Sequence, residues 1–298
     1  MSAYSRLPPV AQGAIWMILC GFCATAMYVL VHTLASGYSP FQLMFMRNAV
    51  SAALLAPWTW RAGGAIYKNS QIFSHVARAG MAFLGMAGLF FGLAHLPVAD
   101  ATALSFTQPL FIVLLAGFFL GETVDRGRSG VALAGFAGIL VIVRPGFADI
   151  NLGVLMILGS ALFYAGSNVT IALLVRKDPV SVVTAYGNML QAPLTLVPAL
   201  FFWRMPGWLD ACAMIGIGVV GLGVQLSLSR AYQAADASAV VPFDFLRLPF
   251  AALVGFALFG ETVDGWTWAG AAIVFASSYA LVRLESRVSR SAARASRP

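Results

Sequence analysis

Apolar residues run through the chain in long blocks, and each block is closed by glycine, proline or charged residues. A bilayer core about 30 Å thick is crossed by about 20 apolar residues in helical form, so each block predicts one membrane-spanning helix. The predicted spans are 11–33, 41–60, 76–94, 98–119, 128–145, 152–174, 180–202, 208–232, 237–259 and 266–284. The pattern predicts an all-α membrane protein of ten transmembrane helices, with links too short to hold a separate soluble domain.

The composition agrees with a membrane location. The chain is 60% hydrophobic and 10% charged, whereas soluble proteins carry about 25% charged residues. The basic residues sit between apolar blocks and form no basic face with interleaved polar surface, which argues against a nucleic-acid partner. The cysteines lie inside apolar stretches and the histidines are dispersed. No metal site and no cofactor is therefore predicted.

Basic residues near the span ends predict the orientation, because Lys and Arg are retained on the cytoplasmic side of a membrane. Of the 18 basic residues, 14 fall on the face that both termini share, and two, Arg144 and Arg204, fall on the opposite face. The other two, Arg47 and Arg247, fall within spans. We therefore expect a multi-pass protein of the bacterial inner membrane, in contact with lipid and with both termini in the cytoplasm.

The chain also contains an internal repeat. The run Gly-Glu-Thr-Val-Asp at 121–125 recurs at 260–264, a shift of 139 residues. Each half holds five predicted spans, and because five is odd the second half must cross the membrane upside down. Inverted repeats of this kind are typical of secondary transporters. The predicted domains are a five-helix repeat at 1–148, an inverted five-helix repeat at 149–285, and a basic cytoplasmic tail at 286–298.

Two halves of five spans, Arg47 early in span two, and Gly-Glu pairs at 121–122 and 260–261 occur together over roughly residues 10–285. This combination resembles the EamA-type branch of the drug/metabolite transporter superfamily, and within it the amino acid and metabolite exporters, including the aromatic amino acid exporter type. The resemblance implies a basket of helices around a central cavity, with halves that rock so that the cavity opens alternately to each side. Tyr186 stands where the repeat would place a partner for Arg47, so the second half lacks that arginine.

Ionisable residues inside the spans are candidates for function, because a charge near the bilayer centre costs about 2.5–3.5 kcal/mol on insertion scales. Asp244 and Arg247 stand three residues apart in span nine, on one helix face, between Pro242 and Pro249. Two interpretations stay open for this pair. It either lines the pathway and contacts a charged substrate or a coupling proton, or it is a structural ion pair. For Arg47 the sequence favours a side chain that snorkels to the interface.

Polar and aromatic side chains in the other spans complete the predicted site. Tyr164 and Asn168 share one face of span six. Such groups either recognise an amino or carboxyl group of a substrate or bond to neighbouring helices, at about 0.6 kcal/mol each. The predicted substrate-binding residues are Tyr164, Asn168, Tyr186, Asn188, Gln225, Asp244, Arg247, Phe243, Phe83 and Phe90.

Acidic residues at the span ends are predicted to have structural roles. Glu122 and Glu261 lie beside glycine, which favours interfacial capping or contact with a neighbouring loop. Asp100 and Asp236 precede the Ala-rich starts of spans four and nine, which favours N-caps. We leave these four residues out of the predicted site.

The sequence predicts a secondary transporter. The two lysines, Lys68 and Lys177, lack the glycine-rich cradle of a nucleotide-binding loop. An intramembrane enzyme would need a nucleophile beside a base, or clustered metal ligands, so no enzyme activity is predicted. An intramembrane enzyme stays an alternative function of a different class.

The predicted substrate is a small amphipathic metabolite, exported by alternating access. Neutral or aromatic amino acids are favoured, because a zwitterion matches a site with one acid, one base, Tyr, Asn and apolar walls. The direction rests on the resemblance alone. Export or import of a nucleotide-like metabolite, a vitamin or a drug cation stays open, as do proton coupling and a monomeric or homodimeric state.

Overall fold

A computed structural model describes residues 7–62, 71–108, 111, 115, 130, 134–135, 137–138, 140–141, 151–174, 177–234, 243–244, 247–262, 264–273, 275–277 and 279–280. Across these residues the chain is helical, with turns between the helices and no β-strand. The helices with defined bounds are α1 (Pro9–Ala35), α2 (Pro40–Ala62), α3 (Ile72–Leu93), α4 (Val98–Ser105), α5 (Leu152–Leu174), α6 (Val180–Phe201), α7 (Trp208–Ala234) and α8 (Arg247–Phe259).

Helices α1 to α4 correspond to predicted spans one to four, and α5 to α8 correspond to spans six to nine. Six of them, α1 to α3 and α5 to α7, begin and end within four residues of the predicted bounds. Helices α4 and α8 cover only parts of spans four and nine. Residues 265–273 are helical and include the start of span ten. Most of span five lies outside the described residues, as do Glu122 and Asp236.

Proline and glycine account for several helix ends. Helices α1 and α2 begin at Pro9 and Pro40, where the missing N–H of proline costs no hydrogen bond. Helix α8 ends at Phe259 and is followed by Gly260, whose φ of 67° lies in the left-handed region that favours glycine. There the amides of Gly260 and Glu261 donate to the carbonyls of Phe256 and Gly255 at 3.0 and 3.2 Å, which closes the helix end.

Four of the described helices are long and apolar enough to cross a membrane, at residues 11–35, 72–93, 152–171 and 208–234. The 23 residues of α5 make a helix of about 34 Å at 1.5 Å per residue, which matches a hydrocarbon core of about 30 Å. Large apolar side chains remain exposed along these helices, among them Phe22, Leu84, Leu162 and Val219. These faces are suited to contact with lipid chains.

The helices of the two halves pair with one another. Helix α1 packs along α7, α3 packs along α5, α2 contacts both α6 and α7, and α4 packs on α8. In the repeat, α5 to α8 are the counterparts of α1 to α4. If the two halves are exchanged, the α1–α7 pair therefore becomes the α5–α3 pair. The α2–α6 and α4–α8 pairs stay the same, because the two members of each pair are counterparts. The observed pairing has the pattern that two inverted halves would produce.

The helices alternate in direction, so the bundle has two ends. We call the end where α1 leads into α2 the distal end, and the end where α1 begins the proximal end; the charge pattern predicts the proximal end to be cytoplasmic. A large apolar core lies toward the distal end, at the contacts of α1, α2, α3 and α5. Its fully buried members include Val31, Leu43, Met44, Phe90, Leu93 and Ile157.

Candidate functional site

Asp244 and Arg247 form the ion pair that their spacing predicts. Asp244 Oδ2 lies 3.6 Å from Arg247 Nη2, and the same nitrogen donates a hydrogen bond of 3.1 Å to Ser105 Oγ of α4. The guanidinium carbon also lies 5.5 Å from the ring centre of Tyr28 and 5.0 Å from that of Phe106. Both distances allow cation–π attraction. Arg247 is therefore held by a carboxylate, a hydroxyl group and two aromatic faces.

This group, Asp244, Arg247, Tyr28, Ser105 and Phe106, is the Asp244 cluster. It joins α1 and α4 of the first half to α8 and the residues before it in the second half. Phe243 lies beside it, packed against an apolar cluster of α1 and α7. A Cβ at Gly21 would lie 3.5 Å from Arg247 Cβ, so the backbone of α1 approaches α8 closely here.

Arg47 points into the protein and does not snorkel, so that prediction is wrong. Arg47 is 5% exposed, and its Nη1 donates to Asn48 Oδ1 at 3.0 Å and lies 3.6 Å from Met86 Sδ. The reason is found in α7, where a Cβ at Gly221 would lie 2.7 Å from Arg47 Nε. The missing side chain leaves room for the stem of the arginine.

Arg78 is a second buried arginine, although its sequence position places it among the 14 basic residues predicted to lie at the cytoplasmic span ends. Arg78 is 4% exposed, and its Nη1 donates a hydrogen bond of 2.6 Å to the carbonyl of Val183 in α6. A Cβ at Gly187 would lie 2.9 Å from both of its terminal nitrogens. Helix α3 begins at Ile72, so Arg78 lies about 9 Å inside the helix.

Several predicted polar residues lie near these two arginines. The ring of Tyr164 packs against Gly85, where a Cβ would lie 3.0 Å from it, and Tyr164 interacts electrostatically with Arg47. Asn188 is fully buried and donates through Nδ2 to the carbonyl of Thr184 at 3.0 Å. Its Oδ1 has no hydrogen-bond partner within the described ranges. The structure thus brings Tyr164 and Asn188 into the part of the interface that holds the buried arginines.

The other predicted residues are more scattered. Tyr186 stacks on His75, with 4.5 Å between the ring centres, near the proximal end. Asn168 is partly buried on α5, and Gln225 has a buried Oε1 without a partner in the part of the chain that is described. Phe83 is half-buried against the apolar core, and Phe90 is 0% exposed within it.

Links between the halves are present at the distal end. Tyr38 donates a hydrogen bond of 2.6 Å to Asp210 Oδ2, which raises the pKa of the Tyr38 hydroxyl above its ordinary value near 10, so the bond persists at neutral pH. Gln42 bonds the backbone of Arg204 twice, donating to its carbonyl at 2.7 Å and accepting from its amide at 3.0 Å. The loop before α2 is therefore fastened to the start of α7.

At the proximal end, His75 Nε2 lies 3.0 Å from Asp178 Oδ2, between α3 and the turn before α6. In the repeat, the turn before α6 is the counterpart of the turn before α2, which holds Tyr38. The start of α3 is the counterpart of the start of α7, which holds Asp210. Each end of the interface is thus closed by an acid that bonds a side chain of the other half.

A groove of about 510 Å³ opens between α3 and α5 on the distal side. Its walls are almost entirely apolar and include Phe41, Leu84, Phe91 and Phe163. It contains none of the predicted substrate-binding residues, and a charged substrate would find no partner there. The buried charges at the interface of the halves are therefore a better candidate site than this groove.

A helical bundle with apolar outer faces and charged side chains buried between two halves is the construction of a membrane transporter. The chain belongs to the EamA-like transporter family, whose pattern matches it twice, at residues 11–144 and 151–283. It is accordingly a small-molecule transporter of the membrane and not an enzyme.

Similar proteins match over nearly their whole lengths. A riboflavin transporter of Vibrio cholerae is 31% identical over 291 residues, covering 94% of this chain and 95% of its own. An S-adenosylmethionine uptake transporter of Rickettsia felis is 28% identical, covering 92% and 94%. A pseudopaline exporter of Pseudomonas aeruginosa is 28% identical, covering 91% and 96%. A solved crystal structure shares the fold, with a TM-score of 0.66 at 18% identity over 93% of this chain and 99% of that one.

Proposed function

We propose that this protein is a secondary transporter that carries a small amphipathic metabolite across the bacterial inner membrane by alternating access. The observation that carries the proposal is the Asp244 cluster. An acid, a base and two aromatic faces meet between α8 and the first-half helices α1 and α4. Contacts between the halves change when the halves move, so a substrate bound there is coupled to that movement.

The moving parts of this proposal are the two repeats, 1–148 and 149–285, which rock against each other. The links at the two ends support it, because alternating access requires that each end can be closed by contacts that later break. Tyr38 with Asp210 would open in the state that faces the distal side, and His75 with Asp178 in the state that faces the proximal side. The termini are proposed to lie in the cytoplasm.

Aromatic or other neutral amino acids, moved outward, are the first candidate substrates. The Asp244 cluster offers a carboxylate for an ammonium group and the rings of Tyr28 and Phe106 for an aromatic side chain. Asp244 keeps more exposure than Arg247, 27% against 13% for the side chains, so its carboxylate is the more reachable of the two charges.

Riboflavin-like or S-adenosylmethionine-like metabolites are the second candidates. The relatives named for these substrates match more than nine-tenths of this chain. Both molecules combine a flat ring system with polar groups, which the aromatic and charged members of the Asp244 cluster suit as well. The relatives include uptake transporters and an exporter, so either direction is compatible with the family.

Transport by the purified protein in liposomes tests the proposal. Labelled phenylalanine, tryptophan, riboflavin and S-adenosylmethionine are offered separately, with and without a pH gradient, and protein-free liposomes serve as the control. Saturable transport of at least one compound is expected. If no compound moves faster than through the protein-free membrane, the proposed substrates are wrong.

The variant Asp244→Asn tests the role of the pair. Because Asn keeps the size of Asp but removes its charge, we expect slower transport and an altered pH dependence. A variant with unchanged transport and unchanged pH dependence would make the pair structural.

A further inference from the structure

Arg47 and Arg78 are buried cations without an acidic partner in the part of the chain that the structure describes. They are 5% and 4% exposed, and neither forms an ion pair with any acid in the ranges that the structure describes. The Nε atom of each is also buried without a hydrogen-bond partner there. Arg247, by contrast, has Asp244. A buried charge without a partner is costly, so its retention in the interior points to a ligand that supplies the opposite charge.

The two arginines both belong to the first half, but the exchange of the halves relates the places that their side chains occupy. Arg47 of α2 lies against Gly221 of α7, and Arg78 of α3 lies against Gly187 of α6. The exchange of the halves turns α2 into α6 and α7 into α3. The separations agree with it, because 187 − 47 is 140 and 221 − 78 is 143, close to the shift of 139 in the repeat. Helix α6 thus has a glycine, Gly187, close to where the exchange would place an arginine equivalent to Arg47. Arg78 of α3 fills that place from the opposite side of the interface.

The surroundings of the two arginines suit an anion. Arg47 and Arg78 lie on helices α2 and α3, which are in contact, and an anion between the two side chains would relieve the repulsion of their charges. Tyr164 interacts with Arg47 and carries a hydroxyl that can donate a further hydrogen bond. Guanidinium groups present a planar fork of donors that fits the two oxygens of a carboxylate.

We infer that Arg47 and Arg78 form the binding site for an oxyanion of the transported molecule, so that the substrate carries a carboxylate or a comparable oxyanion. This inference rests on the proposed transport function and narrows its substrates. Amino acids and S-adenosylmethionine satisfy it, whereas riboflavin, which carries no oxyanion, and a purely cationic drug do not. Arg47 lies on the side of α7 and Arg78 on the side of α6, and both belong to the first half, so the anion would be held by one half while the other half moves against it.

Binding of matched ligands to the purified full-length protein tests the inference. The protein is placed in nanodiscs of phosphatidylcholine, and dissociation constants are measured for phenylalanine against phenethylamine and for S-adenosylmethionine against its decarboxylated form. The members of each pair differ only in the carboxylate. In at least one pair we expect the carboxylate to bind about tenfold more tightly or better.

The variants Arg47→Gln and Arg78→Gln are each expected to bring that ratio close to one. The lysine variants Arg47→Lys and Arg78→Lys keep the charge and lose the planar fork, so they should retain part of the preference for the carboxylate ligand. They replace a glutamine variant that does not fold. Arg230→Gln is the matched control, because Arg230 is exposed on α7 and lies 4.7 Å over the ring of Trp16. It should keep the full ratio.

The inference is overturned if the pairs bind equally well to the wild type, or if the ratio survives all the Arg47 and Arg78 variants. It is also overturned if phosphatidylglycerol added to the nanodiscs competes with the carboxylate ligands, since the arginines would then hold a lipid phosphate. Transport without carboxylate preference would refute the inference and leave the proposed function intact. Arginine-dependent carboxylate binding without transport would support the inference and refute the proposed function.

Discussion

The backbone amide of Val98 donates a hydrogen bond of 3.1 Å to Glu261 Oε2, which ties the start of α4 to the turn that follows α8. His32 Nε2 lies 3.4 Å from the other oxygen of the same carboxylate. The first amides of a helix have no partner within it, and a carboxylate there also interacts favourably with the helix dipole. Glu261 therefore caps α4 from a distant part of the chain, which confirms that it contacts a neighbouring segment at the end of its span.

Replacing Glu261 by Ala is expected to destabilise the protein by about 1 to 2 kcal/mol, because the cap of α4 and the contact with His32 are both lost. The apparent melting temperature of the purified protein in detergent measures the effect. Glu261→Gln is the matched variant, since its amide oxygen can still accept from Val98, and it should lose less stability than Glu261→Ala. Equal melting of Glu261→Ala and the wild type would show that the cap contributes nothing.

The Asp244–Arg247 pair is expected to behave as a coupled unit. Asp244→Asn leaves the Arg247 guanidinium with Ser105 and two ring faces only, and Arg247→Gln leaves a partly buried carboxylate without its partner. Each single variant should lower stability. The double variant should lose less than the sum of the two, with a coupling energy of about 0.5 to 3 kcal/mol.

Melting temperatures and transport rates of the three variants measure this coupling. Additive losses would show that the two side chains act independently in spite of their contact.

The sequence predicts the helices well, because each apolar block carries its own boundaries. Helix α5 begins and ends at the predicted residues 152 and 174. The prediction of Asp100 as an N-cap is wrong: α4 has Pro97 as its N-cap and Asp100 in its first turn, where the dipole still favours a carboxylate. A proline that fixes the chain direction displaced the expected cap by a few residues.

The buried arginines could not be predicted in the same way. The local sequence shows that Arg47 is in a span. The room for its side chain in the interior, however, is left by Gly221, which is 174 residues away. Arg78 follows His75 near the start of α3, so in the sequence the two residues resemble the polar flank of a span. The fold places Val183 and Gly187 beside Arg78. Contacts between the two halves decide both positions, and no local pattern records them.

Alanine at Gly88 is expected to destabilise the contact of α3 with α5. A Cβ at Gly88 would lie 2.5 Å from the backbone oxygen of Met156, which cannot move without shifting α5. Overpacking of this kind costs about 1 to 3 kcal/mol.

Gly80 lies on the same helix and a Cβ there meets nothing within 4 Å, so Gly80→Ala is the matched control. Melting temperatures should fall for Gly88→Ala and stay level or rise slightly for Gly80→Ala, because alanine favours the helix. If both variants melt alike, α3 and α5 are not packed as closely as described.

The native cysteines allow a direct test of the proposed orientation. Cys212 is exposed in the first turns of α7 at the distal end, whereas Cys20 is buried and Cys23 is partly buried. If the termini are cytoplasmic, a membrane-impermeant maleimide should label Cys212 in right-side-out vesicles and leave it unlabelled in inside-out vesicles. Cys212→Ser should abolish that labelling. In the same background, Lys177→Cys places a thiol at an exposed proximal position, and it should show the opposite pattern. Labelling of Cys212 only in inside-out vesicles would reverse the proposed orientation and would place the Tyr38–Asp210 link on the cytoplasmic side.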